Sequence, residues 1–390
     1  MLIGGGHANV QVLRKLCMNE YKGLNVILIS EGYKSIYSGM TPGYINKLYS
    51  LEDISIDLQR LCFNAGATFI KDKVINLDNK NQIIHLNQNP SISYDTLSIN
   101  SGSISNNQSI KFDEKSNVIP VKPISSFISK LKVIDELIEK SSNRKISIIG
   151  GGVAAFELSF AICKRYNENI SLDMISDQFL AEKNLNPSSI NTLKKIAKNL
   201  NINLISKKVI DIRDSEISLE DGSKSQSELV LLSTGAALPD WLAESNLEMN
   251  ENFIAVNHHL QSLNFKNVFV SGDAASIENF KRPKSGVMAV RQGEILKENL
   301  FLYLLKKPLK KFKPQKNWLY LIGTHKNSAI LNYFNFSFEG KWCWLLKKII
   351  DLNFMKKFSF PDQTNMHKKI HNLNEINDDT PKMYCQGCGF

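Results

Sequence analysis

An α/β fold assembled from two copies of one glycine-turn unit is what this sequence predicts, with a small α-rich or mixed extension at its C-terminal end. Three observations carry that prediction. A short apolar strand running into three glycines and then a helical segment occurs twice, at an offset of 146 positions. Each copy closes on an acidic residue 27 positions after its first glycine. A second kind of element, a buried strand ending in a small-small-Gly turn, is also present twice.

In the first copy Met1-Leu2-Ile3 leads into Gly4-Gly5-Gly6, and the strand Val26-Ile27-Leu28-Ile29 leads to Glu31. In the second, Ile146-Ser147-Ile148-Ile149 leads into Gly150-Gly151-Gly152, and Leu172-Asp173-Met174-Ile175 leads to Asp177. Between the strands, apolar residues recur at the three- and four-residue spacing of a helix packed on one face. The first glycine of such a unit allows the tight strand-to-helix turn. The next removes a side chain, so that backbone N–H groups at the positive end of the helix can meet a pyrophosphate. The acidic residue is placed to accept a hydrogen bond from an adenosine ribose. The usual third glycine is replaced by Asn9 and Ala155, both small enough for close helix–strand packing. One such turn is weak evidence, but two complete copies define two Rossmann-like dinucleotide-binding units.

The second repeated element is Tyr94 to Gly102, with Asn100-Ser101-Gly102 at its end, matched by Ser227 to Gly235, which ends in Ser233-Thr234-Gly235. Each is placed to return the chain toward its nucleotide. Pro120 and Pro123 then mark a crossover between domains.

Composition narrows the class. With 43% hydrophobic and 22% charged residues the 390-residue chain reads as an ordinary globular protein. No apolar stretch approaches the ~18 residues of a membrane span, and no signal peptide precedes the first strand. Six scattered cysteines form no disulfide framework, which suits a cytoplasmic setting. The net charge of +10 is concentrated: between Lys297 and Lys357 there are 13 lysines against Glu298, Glu339 and Asp351. A diffuse nucleic-acid binder is thereby excluded in favour of one basic C-terminal region.

Taken with Asn267-Val268-Phe269-Val270-Ser271-Gly272-Asp273-Ala274-Ala275, these motifs resemble the pyridine nucleotide-disulfide oxidoreductase superfamily, in the family's own order over roughly residues 1–305. The resemblance implies FAD and a nicotinamide dinucleotide as cofactors. It implies an FAD domain made of 1–119 and 250–305, an inserted NAD(P)H domain of 120–249, an extension of 306–372 with an amphipathic helix, and a tail of 373–390. On this reading FAD is held by Gly4, Gly6, His7, Ala8, Glu31, Ser101, Gly102, Gly272, Asp273 and Ala289. Gly150, Gly152, Ala155, Glu157, Asp177, Thr234 and Gly235 serve the nicotinamide dinucleotide. His7 shapes the turn rather than catalysing.

Subfamily features sharpen the expectation. The segment Tyr37 to Tyr44 lacks the Cys-x4-Cys pair of disulfide reductases, so electrons leave directly to another acceptor. Ala289-Val290-Arg291-Gln292 resembles the A-x-x-Q pattern beside the flavin and quinone of type II NADH dehydrogenases, and Glu157 resembles an acidic residue lining the nicotinamide site there. Glu157, Gln292 and Pro42 are therefore the candidate catalytic residues, with NADH as hydride donor and a quinone as acceptor. Asp177, with no arginine following, favours NADH, although Ser176 leaves NADPH open. Tyr37-Ser38-Gly39-Met40 with Pro42-Gly43, Arg282 to Gly286, Leu321-Ile322-Gly323-Thr324 and Cys385-Gln386-Gly387-Cys388-Gly389 are similar to the dehydrogenase-like module fused ahead of selenophosphate synthetase. The synthetase itself is absent from this sequence, and with only three residues ahead of Gly4 a clipped start is expected.

Alternatives remain at this stage. Cys163 and Cys343 raise a sulfide:quinone oxidoreductase reading, although Cys163 lies inside an apolar helical run. A flavin-binding electron-supply or regulatory module for a selenium or thiol partner is another. Trp342, Leu345, Leu346, Ile349 and Ile350 share one helical face opposite Lys347, Lys348 and Asp351. That face suits peripheral membrane contact, docking on the protein's own core, or a homodimer partner. His367, His371, Cys385 and Cys388 have zinc-like elements in the wrong order for a finger, so no metal is expected.

Overall fold

The computed structural model describes residues 1–359 apart from 114, 140–142, 182–184, 281–283, 316–317 and 326, together with the backbone of strands Lys369–Asn372 and Tyr384–Cys385. The zinc-like His367 and Cys388, the side chains of His371 and Cys385, the Arg282-Pro283 pair and residues 373–381 lie outside the described residues.

Two five-stranded parallel sheets dominate, and four strands of each share one order, the fifth, at the same edge, coming last in the chain in the first sheet and first in the second. In the first, Val268–Val270, Leu97–Ile99, Leu2–Ile3, Ile27–Ser30 and Thr68–Lys71 lie side by side. In the second the order is Val118–Pro120, Leu229–Leu232, Arg144–Ile149, Ile170–Ile175 and Asn203–Ile205. Central strands such as Leu229–Leu232 and Leu97–Ile99 are buried at every position. Both faces of a parallel sheet are covered, so continuous rather than alternating apolar runs are required.

The duplication extends further than the glycine turns. In the first unit an antiparallel meander, Val74–Asp78, Ile83–Leu86 and Ile92–Ser93, joins strand Thr68–Lys71 to strand Leu97–Ile99. Val209–Arg213, Glu216–Leu219 and Lys224–Gln226 join the corresponding strands Asn203–Ile205 and Leu229–Leu232 in the second. The insertion shows in the strand order itself. Val268–Val270 completes the first sheet only after the whole second sheet has been built.

One continuous apolar core runs through both units, with a smaller cluster around Ile149, Ile212, Ile217 and Leu232. The extension is mixed rather than α-rich: strands Leu319–Gly323, Ala329–Tyr333 and Phe336–Gly340 form an antiparallel sheet, followed by helix Lys341–Lys356. The sheet is pinned to the second unit, where the Asn332 side-chain oxygen accepts from Asn186 N–H (2.8 Å) and the Ser189 hydroxyl (2.9 Å). The helix is pinned to the first, where Lys347 donates to the Gly39 carbonyl (2.7 Å). The extension therefore spans the junction of the two units. Among the described residues no helix is long and apolar enough to cross a membrane.

A candidate flavin and nicotinamide site at the junction

Each glycine turn ends its first strand in the way the sequence requires. Gly4 has φ +82°, and a Cβ there would lie 2.5 Å from Ser101 Cα. Gly6 leaves the same kind of space, since a Cβ would fall 2.3 Å from the Asn100 side-chain oxygen. In the second unit Gly150 has φ +138° and abuts the Ser233 carbonyl, while Gly151 abuts that of Gln178. Helix Asn9–Met18 and helix Val153–Tyr166 start directly after these turns, so each aims the positive end of its dipole at the cradle.

Asn100 organises the first cradle, and its role was missed in the sequence. Its side-chain oxygen accepts from Ala8 N–H (2.9 Å), its carbonyl accepts from Gly6 N–H (3.1 Å), and its amide donates to the Ser271 carbonyl (2.9 Å). One side chain thus ties the glycine turn to the Gly272-Asp273 loop. The signal was a single polar residue between an apolar strand and Ser101-Gly102. Asn9, at the position of the usual third glycine, does more than fit: it is fully buried and donates to the carbonyls of Ile3 (3.1 Å) and Gly4 (2.9 Å). It also accepts from the Ser98 hydroxyl (2.7 Å).

The Gly272 N–H donates to the Gln292 side-chain oxygen (2.6 Å). Gln292 is buried, with Ala289 against the same loop. Asp273 follows; burial alone would raise its carboxyl, but Lys122 and Ser103 together hold it below its usual range. Glu31 and Asp177 stand exposed beyond strands Ile27–Ser30 and Ile170–Ile175. Ser101 is exposed beside Gly4, and Gly102 takes φ +78° after it. Gly152 caps helix Val153–Tyr166, Ala155 is fully buried beneath it, and Thr234-Gly235 follow strand Leu229–Leu232.

The two units meet at a small cavity of about 40 Å³. Glu157 reaches it from the second unit, Pro42 and Gly43 from the first, Gly323 and Thr324 from the C-terminal sheet, and Lys347 and Asp351 from the C-terminal helix. Two of the three candidate catalytic residues, Glu157 and Pro42, are thus brought together. Gln292 is not among the lining residues; its side-chain oxygen accepts from Gly272. Arg165 fixes the approach by donating to Asp135 (2.6 and 2.8 Å) and to the Ile45 carbonyl (2.7 Å).

Electrostatics at the cavity are unusual. Burial pushes the Glu157 carboxyl up, against the opposing pull of Lys347 and the Gly323 N–H at 2.7 Å. Lys347 also pairs with Asp351 (2.9 Å). Tyr37 bonds Asp351, and burial with that carboxylate raises its phenol. His7 packs against Tyr37 (5.1 Å) and Phe354 (5.9 Å), whose own rings stack at 4.7 Å, and burial lowers its pKa to about 4, so it is neutral at pH 7. It belongs to an aromatic cluster to which the C-terminal helix contributes Phe354.

That helix carries its polar face inward. Asp351 is 5% exposed, whereas Trp342 is 79% and Ile349 48% exposed. The apolar face therefore does not dock on the protein's own core.

The residues present fit two dinucleotides. Buried hydroxyls of Ser271, beside Gly272-Asp273, and of Thr234, beside Gly235, have no partner among the described residues. Buried polar atoms of this kind want a ligand. Twin cradles joined at one reactive junction define a two-dinucleotide oxidoreductase.

Comparison with known proteins agrees. Residues 1–293 match the family described as pyridine nucleotide-disulphide oxidoreductase, and the chain belongs to it. It is an NAD(P)H-dependent flavoprotein oxidoreductase with FAD and NAD(P)H as cofactors. It is similar to ferroptosis suppressor protein 1 of Taeniopygia guttata, 26% identical over 318 residues, covering 77% of this chain and 80% of that protein. In fold it is similar to NDH2 from Plasmodium falciparum in complex with NADH, with a TM-score of 0.77, 15% identity, and coverage of 92% and 96%. The sulfide:quinone oxidoreductase of Aquifex aeolicus gives a TM-score of 0.73, 18% identity, and coverage of 92% and 90%.

Proposed function

We propose that the protein oxidises NADH and reduces a quinone that reaches the junction cavity from a lipid surface. When bound, FAD supplies two-electron chemistry able to link a nicotinamide donor to a quinone. The carrying observation is the C-terminal helix, whose inner face lines the cavity through Lys347 and Asp351 while Trp342, Leu345, Leu346, Ile349 and Ile350 face out. A basic, outwardly apolar helix suits the interface of an anionic bilayer. Within the cavity, Glu157 is positioned to hold a proton that a less buried carboxyl would release, and Pro42-Gly43 close the opposite wall. The Ser176 hydroxyl is engaged by the Gln178 carbonyl at 2.8 Å, which supports Asp177 as a ribose partner and NADH as donor. The same reading takes 1–119 with 250–305 as the FAD domain and 120–249 as the inserted domain; the membership of the two sheets supports the insertion, with strand Val118–Pro120 at the boundary belonging to the second sheet.

The sulfide reading draws on the fold likeness alone. Burial raises the Cys163 thiol to about 12, and the Cys343 thiol is buried and donates to the Phe338 carbonyl (3.3 Å). Cys163 is therefore no ready thiolate nucleophile. The kinship with the module ahead of selenophosphate synthetase rests on its sequence motifs, and an electron-supply role for a selenium or thiol partner follows if free quinone is not turned over. Steady-state NADH oxidation with menadione and with a long-chain ubiquinone in anionic vesicles decides the matter. Turnover is expected with both. Replacing Trp342, Leu345 and Ile349 by serine should abolish vesicle co-sedimentation and slow only the vesicle-borne quinone. Stoichiometric flavin reduction without turnover would refute the quinone assignment.

A further inference from the structure

We propose that Lys122, from the connection between the two units, is a positioning residue of the FAD site that holds the Asp273 carboxylate for the cofactor. The inference rests on reading Asp273 as an FAD-binding residue. Lys122 Nζ lies 2.7 Å from Asp273 Oδ2 and 3.0 Å from Ser103 Oγ, and the Ser103 hydroxyl donates to the same Oδ2 at 2.9 Å. Both partners therefore grip one oxygen. Among the described residues Oδ1 has no protein partner, so it is the oxygen left to accept from a cofactor hydroxyl.

Lys122 is itself held across the domain boundary. Its N–H donates to Ser105 Oγ (3.1 Å), and that hydroxyl donates to the Leu232 carbonyl at the end of the second sheet (3.2 Å). The ammonium is thus presented to the first unit by the second. The other charged or titratable groups facing Asp273 are Lys284 and His7. Lys284 is committed to the Ala275 carbonyl and the Phe253 ring, 3.7 Å from its centroid, and His7 is neutral. Among the described residues Lys122 is the cation in contact with Asp273. A partly buried carboxylate without a contacting cation favours its protonated form, which would weaken its acceptor role and let it turn away.

The test is FAD binding to the flavin-free full-length chain, read by flavin fluorescence from pH 4.5 to 8. K122M should weaken FAD about tenfold and move the acid release midpoint up by about one pH unit, the shift expected from losing one adjacent charge. K122R should restore both. In a D273N background, K122M should add nothing. If D273N loosens FAD while K122M binds and releases it like the wild type, the role given to Lys122 is wrong. The same holds if K122M weakens FAD equally with Asn at 273. If D273N itself binds FAD normally, the underlying assignment of Asp273 fails instead. Thermal melting of each flavin-free variant separates a folding defect from a positioning one, because only the latter moves the pH midpoint and is rescued by arginine.

Discussion

Replacing Asn9 by alanine tests how the first glycine cradle is held. In the wild type this fully buried side chain donates to the carbonyls of Ile3 and Gly4 and, at 3.5 Å, to that of Ser98, and it accepts from Ser98 Oγ. The Ile3 carbonyl keeps a second donor, Asn100 N–H at 2.8 Å, so its loss is cushioned. The Gly4 carbonyl and the Ser98 hydroxyl have no such reserve among the described residues, and Ser98 is fully buried. Two lost neutral hydrogen bonds at about 1 kcal/mol each, with a stranded buried hydroxyl costing about 1–3 kcal/mol, place N9A near 3–5 kcal/mol of destabilisation. S98A in the N9A background removes the stranded group and should return about 1–2 kcal/mol, a coupling that a double-mutant cycle isolates. Urea unfolding of the four proteins, compared at constant m-value, gives the numbers. A loss under about 1 kcal/mol for N9A, or strict additivity with S98A, would refute the view that hydrogen bonds replace the third glycine.

Two further predictions follow from the second unit and the cavity. G150A places a Cβ 2.2 Å from the Ser233 carbonyl at φ +138°, so the variant should keep its flavin spectrum yet lose reduction by NADH in stopped flow; normal reduction would contradict the cradle. Desolvation at the junction raises the half-buried Glu157 carboxyl above its ordinary value of 4.5. As pH climbs above that value the unfolded chain gives up this proton before the native one does, so the native state loses stability through this group until its own pKa is passed. E157Q lacks that loss. Its melting temperature should gain on the wild type between pH 4.5 and 7, and a constant difference would show that Glu157 is not held protonated by burial.

Much of the fold was legible because its signals are local. A strand, a glycine turn and an acidic terminus at fixed spacing need no distant partner to be recognised, and their repetition announced the two parallel sheets. The helix Lys341–Lys356 was legible as amphipathic, but periodicity alone could not say which face turns inward. The structure puts the polar one there, because Lys347 finds the Gly39 carbonyl and Asp351 finds Tyr37, partners more than 300 residues away in sequence. Gln292 illustrates the converse. Its motif resembled a quinone-pocket pattern, yet its carboxamide is used by the Gly272 N–H.

By itself the sequence determined the two cradles, since a missing side chain and a positive φ are properties of single residues. Tertiary structure decided what gathers around them: Asn100 clamping two loops, Lys122 reaching Asp273 from the domain connection, and three separate parts of the chain converging on Glu157. Such assemblies depend on the pairing of polar groups that burial forbids to stay alone, and that pairing is written in distances rather than in spacing along the chain.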